Sequence, residues 1–225
     1  MTVSSAFRPP LPLSFLWACL LFWAVGLGVV GLTDKAELHL WLNQWHAPAA
    51  DGAMRLLTHL GDGLALAVAA LALLLWNRRA LLGLVFGVGL GILPTVALKR
   101  LLDTPRPRLY FEELGRLQEL PLVEGLRLHD HLSMPSGHTA TAFLLAGFAL
   151  AWPLARGVGW QLALFALALL VAFTRVYLSQ HFLEDVLAGS VLGVGGALGG
   201  AWLAALPRFD KLGPSGHSTL PSPTP

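Results

Sequence analysis

The sequence predicts an all-α membrane protein, a bundle of six transmembrane helices with an amphipathic segment at the interface. Three observations predict it. Of 225 residues, 55% are hydrophobic and only 12% charged, where a soluble domain carries about 25% charged. Apolar runs near the roughly 20 residues that a spanning helix needs recur along the chain. Alternating strand patterns are absent from them, and a bilayer then requires helices to satisfy the backbone. The length suits one compact bundle, residues 1–206, followed by a tail at 207–225.

The first run, Pro12 to Leu32, carries no charge. It is too long for a signal-peptide core and lacks a convincing cleavage site, so it reads as a retained span. Its Cys19 is the single cysteine, which excludes an internal disulfide. Trp17 and the continuing apolar run make Cys19 a poor lipoprotein acceptor. Asp34 to Gly61 mixes Trp41, Trp45, His39, His46 and His59 with leucines, as expected of an interfacial segment with tryptophans near the headgroups. Gly63 to Trp76 is a shorter span that extends back toward Met54. Ala80 to Leu98 is the third, with Pro94 predicted to kink it. Arg100 to Pro135 is the longest loop. Thr139 to Ala155, Gly157 to Phe173 and Val186 to Leu206 complete six spans, with tight turns at Asn77-Arg78-Arg79 and Arg156. The glycines from Gly189 to Gly200 suit close helix packing. From Pro207 the chain is rich in Pro, Ser and Thr and is expected to be disordered.

Arg8, Arg78, Arg79, Arg156, Arg208 and Lys211 fall on one side, with Asp210 as its single acid. The positive-inside tendency makes that side cytoplasmic. The opposite side holds more Lys and Arg, several of them in the clusters described next. A net charge of +2 is too small to suggest a nucleic-acid partner.

Three clusters put polar groups at span ends: Lys99 to Pro107, Pro135-Ser136-Gly137-His138, and Arg175 with His181 and Asp185. Lys99 follows the third span and His138 opens the fourth. Two more crossings return the chain to the same face, where Arg175 ends the fifth and His181 precedes the sixth. Ionisable groups held in a membrane bundle are functional by default. Lys99, Arg106 and Arg175 can neutralise phosphoryl oxygens. Ser136 and Gly137 start a helix, where free N–H groups and the dipole favour an anion, and Gly137 allows close backbone approach. Two histidines suit acid and nucleophile roles. His181 and Asp185 are four apart, predicted to share a helical face, so that a carboxylate sets the tautomer of the ring.

The chain here resembles the type 2 phosphatidic acid phosphatase family, whose pattern is K-x6-R-P, then P-S-G-H, then S-R-x5-H-x3-D. Lys99, Arg106 and Pro107 match the first part, Pro135 to His138 the second, and Arg175, His181 and Asp185 the third. Thr174 stands where the family has Ser. The resemblance, six spans included, covers roughly Pro12 to Leu206. It implies that His181 attacks phosphorus, that His138 protonates the leaving oxygen and then activates water, and that Asp185 orients His181. Lys99, Arg106, Arg175 and the Ser136 and Gly137 amides would hold the phosphoryl oxygens. It implies a lipid phosphate or pyrophosphate substrate, with no cofactor and no metal. His129-Asp130-His131 looks metal-like, but it is one short cluster in a long loop.

Undecaprenyl pyrophosphate is the favoured substrate, because an outward-facing site suits carrier-lipid recycling. Phosphatidylglycerol phosphate, phosphatidate and lipid A are the alternatives. The compact chain looks bacterial, which implies an inner-membrane protein with its site toward the periplasm. Transfer of the phosphoryl group to a second lipid, a vanadate-dependent haloperoxidase, and a non-enzymatic transporter or scaffold are the other classes. Six spans argue against the haloperoxidase, and a transporter leaves the converging cations unexplained. A second Pro-Ser-Gly-His, Pro214 to His217, sits in the tail with no apolar helix after it and reads as coincidence. Arg100 and Arg108 fall outside the pattern and are assigned to headgroups or solvent. His39, His46, His59, His129 and His131 are assigned no catalytic role.

Overall fold

The computed structural model describes residues 12–150 and 157–212, the last three by backbone alone. Every regular element among them is helical: α1 (Leu13–Leu32), α2 (Lys35–Leu42), α3 (Pro48–Leu57), α4 (Gly63–Trp76), α5 (Arg78–Gly87), α6 (Leu93–Leu102), α7 (Pro107–Glu113), α8 (Gly137–Ala149), α9 (Val158–Tyr177) and α10 (Leu183–Ala204). Among the described residues, four stretches are long and apolar enough to cross a membrane: Leu13–Leu32, Arg78–Glu113, Val158–Tyr177 and Leu183–Ala204. Pro48–Gly61 and Gly63–Trp76 make a fifth if the pair, bent by 47°, is one span. The remaining expected span, 139–155, begins as α8 and runs into residues 151–156, outside the described residues. The second Pro-Ser-Gly-His lies outside them too, whereas Pro207–Leu212, expected to be disordered, forms a 3-10 turn.

Local chemistry explains the breaks. At the bend, Asp62 caps α4, its Oδ1 accepting the N–H groups of Leu64 and Ala65 at 2.8 and 3.2 Å. Pro94 lacks an N–H, and its ring crowds the carbonyl one turn back. The helix accommodates it with a π-turn at Val88–Ile92 between α5 and α6, so the expected kink is a local unwinding within a continuous helix.

Helix α10 is the centre of the bundle. Gly189 and Gly193 press on the Ser136 and Ala140 carbonyls at the start of α8. Gly196 and Gly200 do the same to the Gly87 and Gly83 carbonyls of α5; a Cβ on Gly196 would stand 2.6 Å from the Gly87 oxygen. Small residues four apart thus bring two neighbours to backbone contact with α10. Gly193→Ala places a methyl against the Ala140 carbonyl, with Phe143 Cβ at 2.9 Å. It should cost about 1–3 kcal/mol, read as a lowered melting temperature in detergent. Helix α1 lies outside, with Gly26 against Leu187 and Trp23 Nε1 donating to Ser190 Oγ at 2.8 Å. Its outer residues Trp17, Leu21 and Leu27 are exposed, as are Trp41 and Trp45 on and after α2. Such a surface suits lipid and interface rather than water.

Candidate active site

Helix α6 ends at Asp103, whose φ of +39° lies in the left-handed region that Asp tolerates better than most residues. The chain turns there and presents Arg106 at the start of α7. Each group in this first cluster is tied to the loop before α8. Lys99 Nζ donates to the carbonyls of Leu132 at 2.7 Å and Ser133 at 3.0 Å. Arg106 Nε donates to the His131 carbonyl at 3.0 Å, and its Nη1 to the Gln180 carbonyl and Oε1, both at 3.1 Å. The metal-like tripeptide is part of this scaffold. The Asp130 carbonyl accepts the Arg106 N–H at 2.7 Å, and the Asp130 carboxylate takes Arg108 Nε at 2.8 Å. Arg108, expected to meet headgroups or solvent, is thus ion-paired.

Ser136 is the N-cap of α8 and is fully buried. Its Oγ accepts the Thr139 hydroxyl at 2.9 Å. Its backbone N–H donates to the Asp185 carbonyl at 2.8 Å. This corrects the expectation that the Ser136 amide holds a phosphoryl oxygen: that donor is already used to dock α8 on α10. Gly137 differs. A Cβ there would meet nothing nearer than Lys99 Cε at 3.9 Å, so the space beside it is open. His138, half-buried, follows in the first turn, and its carbonyl lies against Gly61.

Arg175 ends α9 and is 7% exposed. Its Nη1 donates to Thr58 Oγ1 at 2.6 Å, while its Nε is buried without a partner among the described residues. Thr174, also buried, donates its hydroxyl to the Val171 carbonyl at 2.6 Å. The Arg175 carbonyl accepts the N–H groups of Gln180 at 3.0 Å and His181 at 3.1 Å, and so hangs the next turn beneath it. His181 therefore sits before α10, not on it, and the expected shared helical face with Asp185 is corrected. Their spacing works differently. Asp185, in the first turn of α10, reaches back, so that its Oδ2 accepts the Phe182 N–H at 2.9 Å and Ser133 Oγ at 2.5 Å. The same oxygen lies 3.4 Å from His181 Nδ1.

Burial, with Arg106, Arg175, Lys99 and His138 nearby, holds the His181 imidazole well below its ordinary pKa, so the ring is neutral. All three clusters thus meet around one ring. Sequence reasoning missed Ser133, Thr58 and Gln180, each bonded to a member of the site. Gln180 had a signal, being a polar residue inside the third cluster. Ser133 and Thr58 had none.

The other histidines have structural surroundings. His39 is 1% exposed, stacked edge-on against Phe182 with centroids 5.0 Å apart, and burial pushes its pKa down to about 3. His46 stacks on Tyr177 at 4.2 Å and faces Asp51 at 3.2 Å. His59 is exposed and pairs with Asp62 at 2.9 Å.

Two apolar grooves run down the bundle. One, of about 560 Å³, lies among α4, α8 and α9, with Leu60 and Val171 at the His138 end and Trp76 at the other. The second, of about 440 Å³, involves Phe22, Phe173, Leu183 and Val186, on the Asp185 side.

The PAP2 superfamily profile matches residues 80–208, which contain all three clusters. Among solved structures, Aquifex aeolicus LpxE is similar at 24% identity and a TM-score of 0.63, over 76% of this chain and 96% of that one. The first transmembrane PAP2 type phosphatidylglycerolphosphate phosphatase from Bacillus subtilis is similar at 23% identity and a TM-score of 0.51, over 86% and 95%. No curated protein matches the sequence.

Proposed function

The chain belongs to the PAP2 superfamily, and from that premise we propose that it is an integral membrane phosphatase that cleaves lipid phosphates or pyrophosphates through a phosphohistidine on His181. The observation that carries the reading is the buried, unpartnered Nε of Arg175. Leaving such a donor unsatisfied costs about 1–3 kcal/mol or more, and a phosphoryl oxygen beside the neutral His181 would satisfy it. The ring uses Nε2 to form the P–N bond. The P–O bond to the lipid breaks, and the leaving oxygen takes a proton from His138. His138 then removes a proton from water, which attacks phosphorus and releases His181. Lys99, Arg106 and Arg175 neutralise the oxygens and the Gly137 amide at the start of α8 donates to one of them, work that does not call for a metal, so turnover should persist in excess chelator.

In-line displacement puts attacking and leaving atoms on opposite sides of phosphorus. The lipid chain therefore leaves on the His138 side, where the larger groove begins, and not on the Asp185 side. Ala69→Trp, which fills that groove, should lower kcat/KM for a long-chain lipid phosphate about tenfold, the worth of roughly two buried methylenes. Turnover of p-nitrophenyl phosphate should be unchanged.

The favoured substrate is undecaprenyl pyrophosphate, converted to undecaprenyl phosphate at the outer face of a bacterial inner membrane by a protein of six spans. Phosphate release from that lipid, compared with phosphatidylglycerol phosphate, phosphatidate and lipid A, tests it. No release from the first, with release from another, replaces the substrate and keeps the class. A labelled lipid product in place of free phosphate would indicate transfer between lipids. Attack needs a neutral ring, and burial and cations lower the His181 pKa, so the acid-side loss of activity sets in only as pH falls through a value below the ordinary 6.5, while the proton that His138 must give sets a separate alkaline limb. The acid limb of kcat/KM, corrected for substrate ionisation, should lie below that value; a limb above it would contradict the assignment.

A further inference from the structure

We infer that Ser133 is a positioning residue whose hydroxyl carries the hold of Asp185 onto Nδ1 of His181, an inference that rests on the phosphohistidine reading of the site. The Nδ1 atom lies 3.4 Å from Asp185 Oδ2 and 3.4 Å from Ser133 Oγ. Both exceed the roughly 2.7–3.2 Å of a good N–H···O bond, but only the serine contact has hydrogen-bond geometry; the carboxylate faces the ring as a charge. Ser133 Oγ and Asp185 Oδ2 are 2.5 Å apart, the spacing of a charge-assisted O–H···O⁻ bond. Oδ2 already acts as an acceptor toward the Phe182 N–H, and the serine hydroxyl donates to the same oxygen. The lone pairs on Oγ are then left to accept, and the Nδ1–H of His181 is the donor beside them. The direction of the chain follows: Nδ1–H to Oγ, and Oγ–H to Oδ2. It sets the tautomer and leaves the Nε2 lone pair free for phosphorus.

The relay is rigid at both ends. Asp185 Oδ2 also accepts the Phe182 N–H at 2.9 Å, which ties the carboxylate to the start of α10. Ser133 is fully buried. Its N–H donates to the Thr104 carbonyl at 3.0 Å, and its carbonyl accepts Lys99 Nζ at 3.0 Å. One residue between the first two clusters thereby sets the ring of the third. During attack the Nε2 lone pair forms the P–N bond and the lipid oxygen leaves with the P–O electrons and the His138 proton. The Nδ1 proton stays on the ring, which becomes cationic, and the relay couples that charge to Asp185.

The test is steady-state kinetics of the full-length protein in detergent, with Ser133→Ala, Ser133→Cys, Asp185→Asn and the Ser133→Ala/Asp185→Asn double variant. The alanine variant keeps both backbone bonds of Ser133, so kcat should fall about 10–100-fold with KM within about threefold. Cysteine, close in size and a weak donor, should fall between; it decides the matter if the alanine variant does not fold. The double variant should be no slower than Asp185→Asn, because the two groups act in series. Wild-type kcat in Ser133→Ala, multiplicative losses in the double variant, or a rise in KM with kcat intact would each overturn the relay. A wild-type protein that cleaves no lipid phosphate, or a His181→Ala variant that still does, would instead overturn the reading on which it rests.

Discussion

His181→Ala should leave a folded protein and lower turnover of a lipid phosphate by roughly four to six orders of magnitude, as loss of a covalent nucleophile does elsewhere. The ring is 2% exposed, so its removal leaves a cavity, but that cavity lies in a turn hung from the Arg175 carbonyl and not within a helix. The backbone bonds of Gln180 and His181 to that carbonyl survive the substitution, and so does the Phe182 N–H bond to Asp185. Melting in detergent should therefore change little while turnover vanishes. Rapid acid-free quenching of the wild-type protein with labelled substrate should trap a phosphoryl group on protein, and the variant should trap none. Near-normal turnover of His181→Ala would end the phosphohistidine mechanism.

Arg175→Lys should lower kcat/KM about 10²- to 10³-fold, the usual effect of losing one preorganised donor to a developing oxyanion. Charge is kept, so the loss measures geometry. Arginine divides its fork here: Nη1 is committed to Thr58, while Nε is free for the substrate. A lysine ammonium can reach Thr58 or a phosphoryl oxygen, but lacks the planar pair of donors that serves both. Orthovanadate, which carries the same tetrahedral oxygens, should inhibit the variant more weakly by a comparable factor. If the variant binds vanadate as the wild type does, Arg175 is a structural tie to Thr58 and not part of the phosphate cradle.

Several features were legible in one dimension because each depends on neighbours along the chain. The apolar runs at α1, α9 and α10 declare themselves by composition, and the glycines of α10 by their spacing of four. Lys99, Arg106, His138, Arg175 and His181 stood out as charged or titratable groups near the ends of the third to sixth apolar runs. The His181–Asp185 spacing was visible, but its meaning was not. It resembles a helical pair, whereas the carboxylate works as a cap reaching back over the helix start. The Ser136 amide was misassigned for a similar reason: a first-turn N–H looks free in sequence, and the Asp185 carbonyl that takes it is 49 residues away along the chain.

By itself, then, the sequence determined a helical membrane chain and a set of polar groups at the ends of its apolar runs, because hydropathy and motif spacing are local properties. Only the tertiary structure decided which of those groups still have a hydrogen bond to give. That depends on partners such as Ser133, Thr58 and Gln180, small uncharged residues that become decisive when buried. Away from water every donor must find an acceptor, and which acceptor it finds is set by how distant segments pack. In this protein that packing used the Ser136 amide, left the Arg175 Nε open among the described residues, and set a serine hydroxyl beside both the aspartate and the histidine.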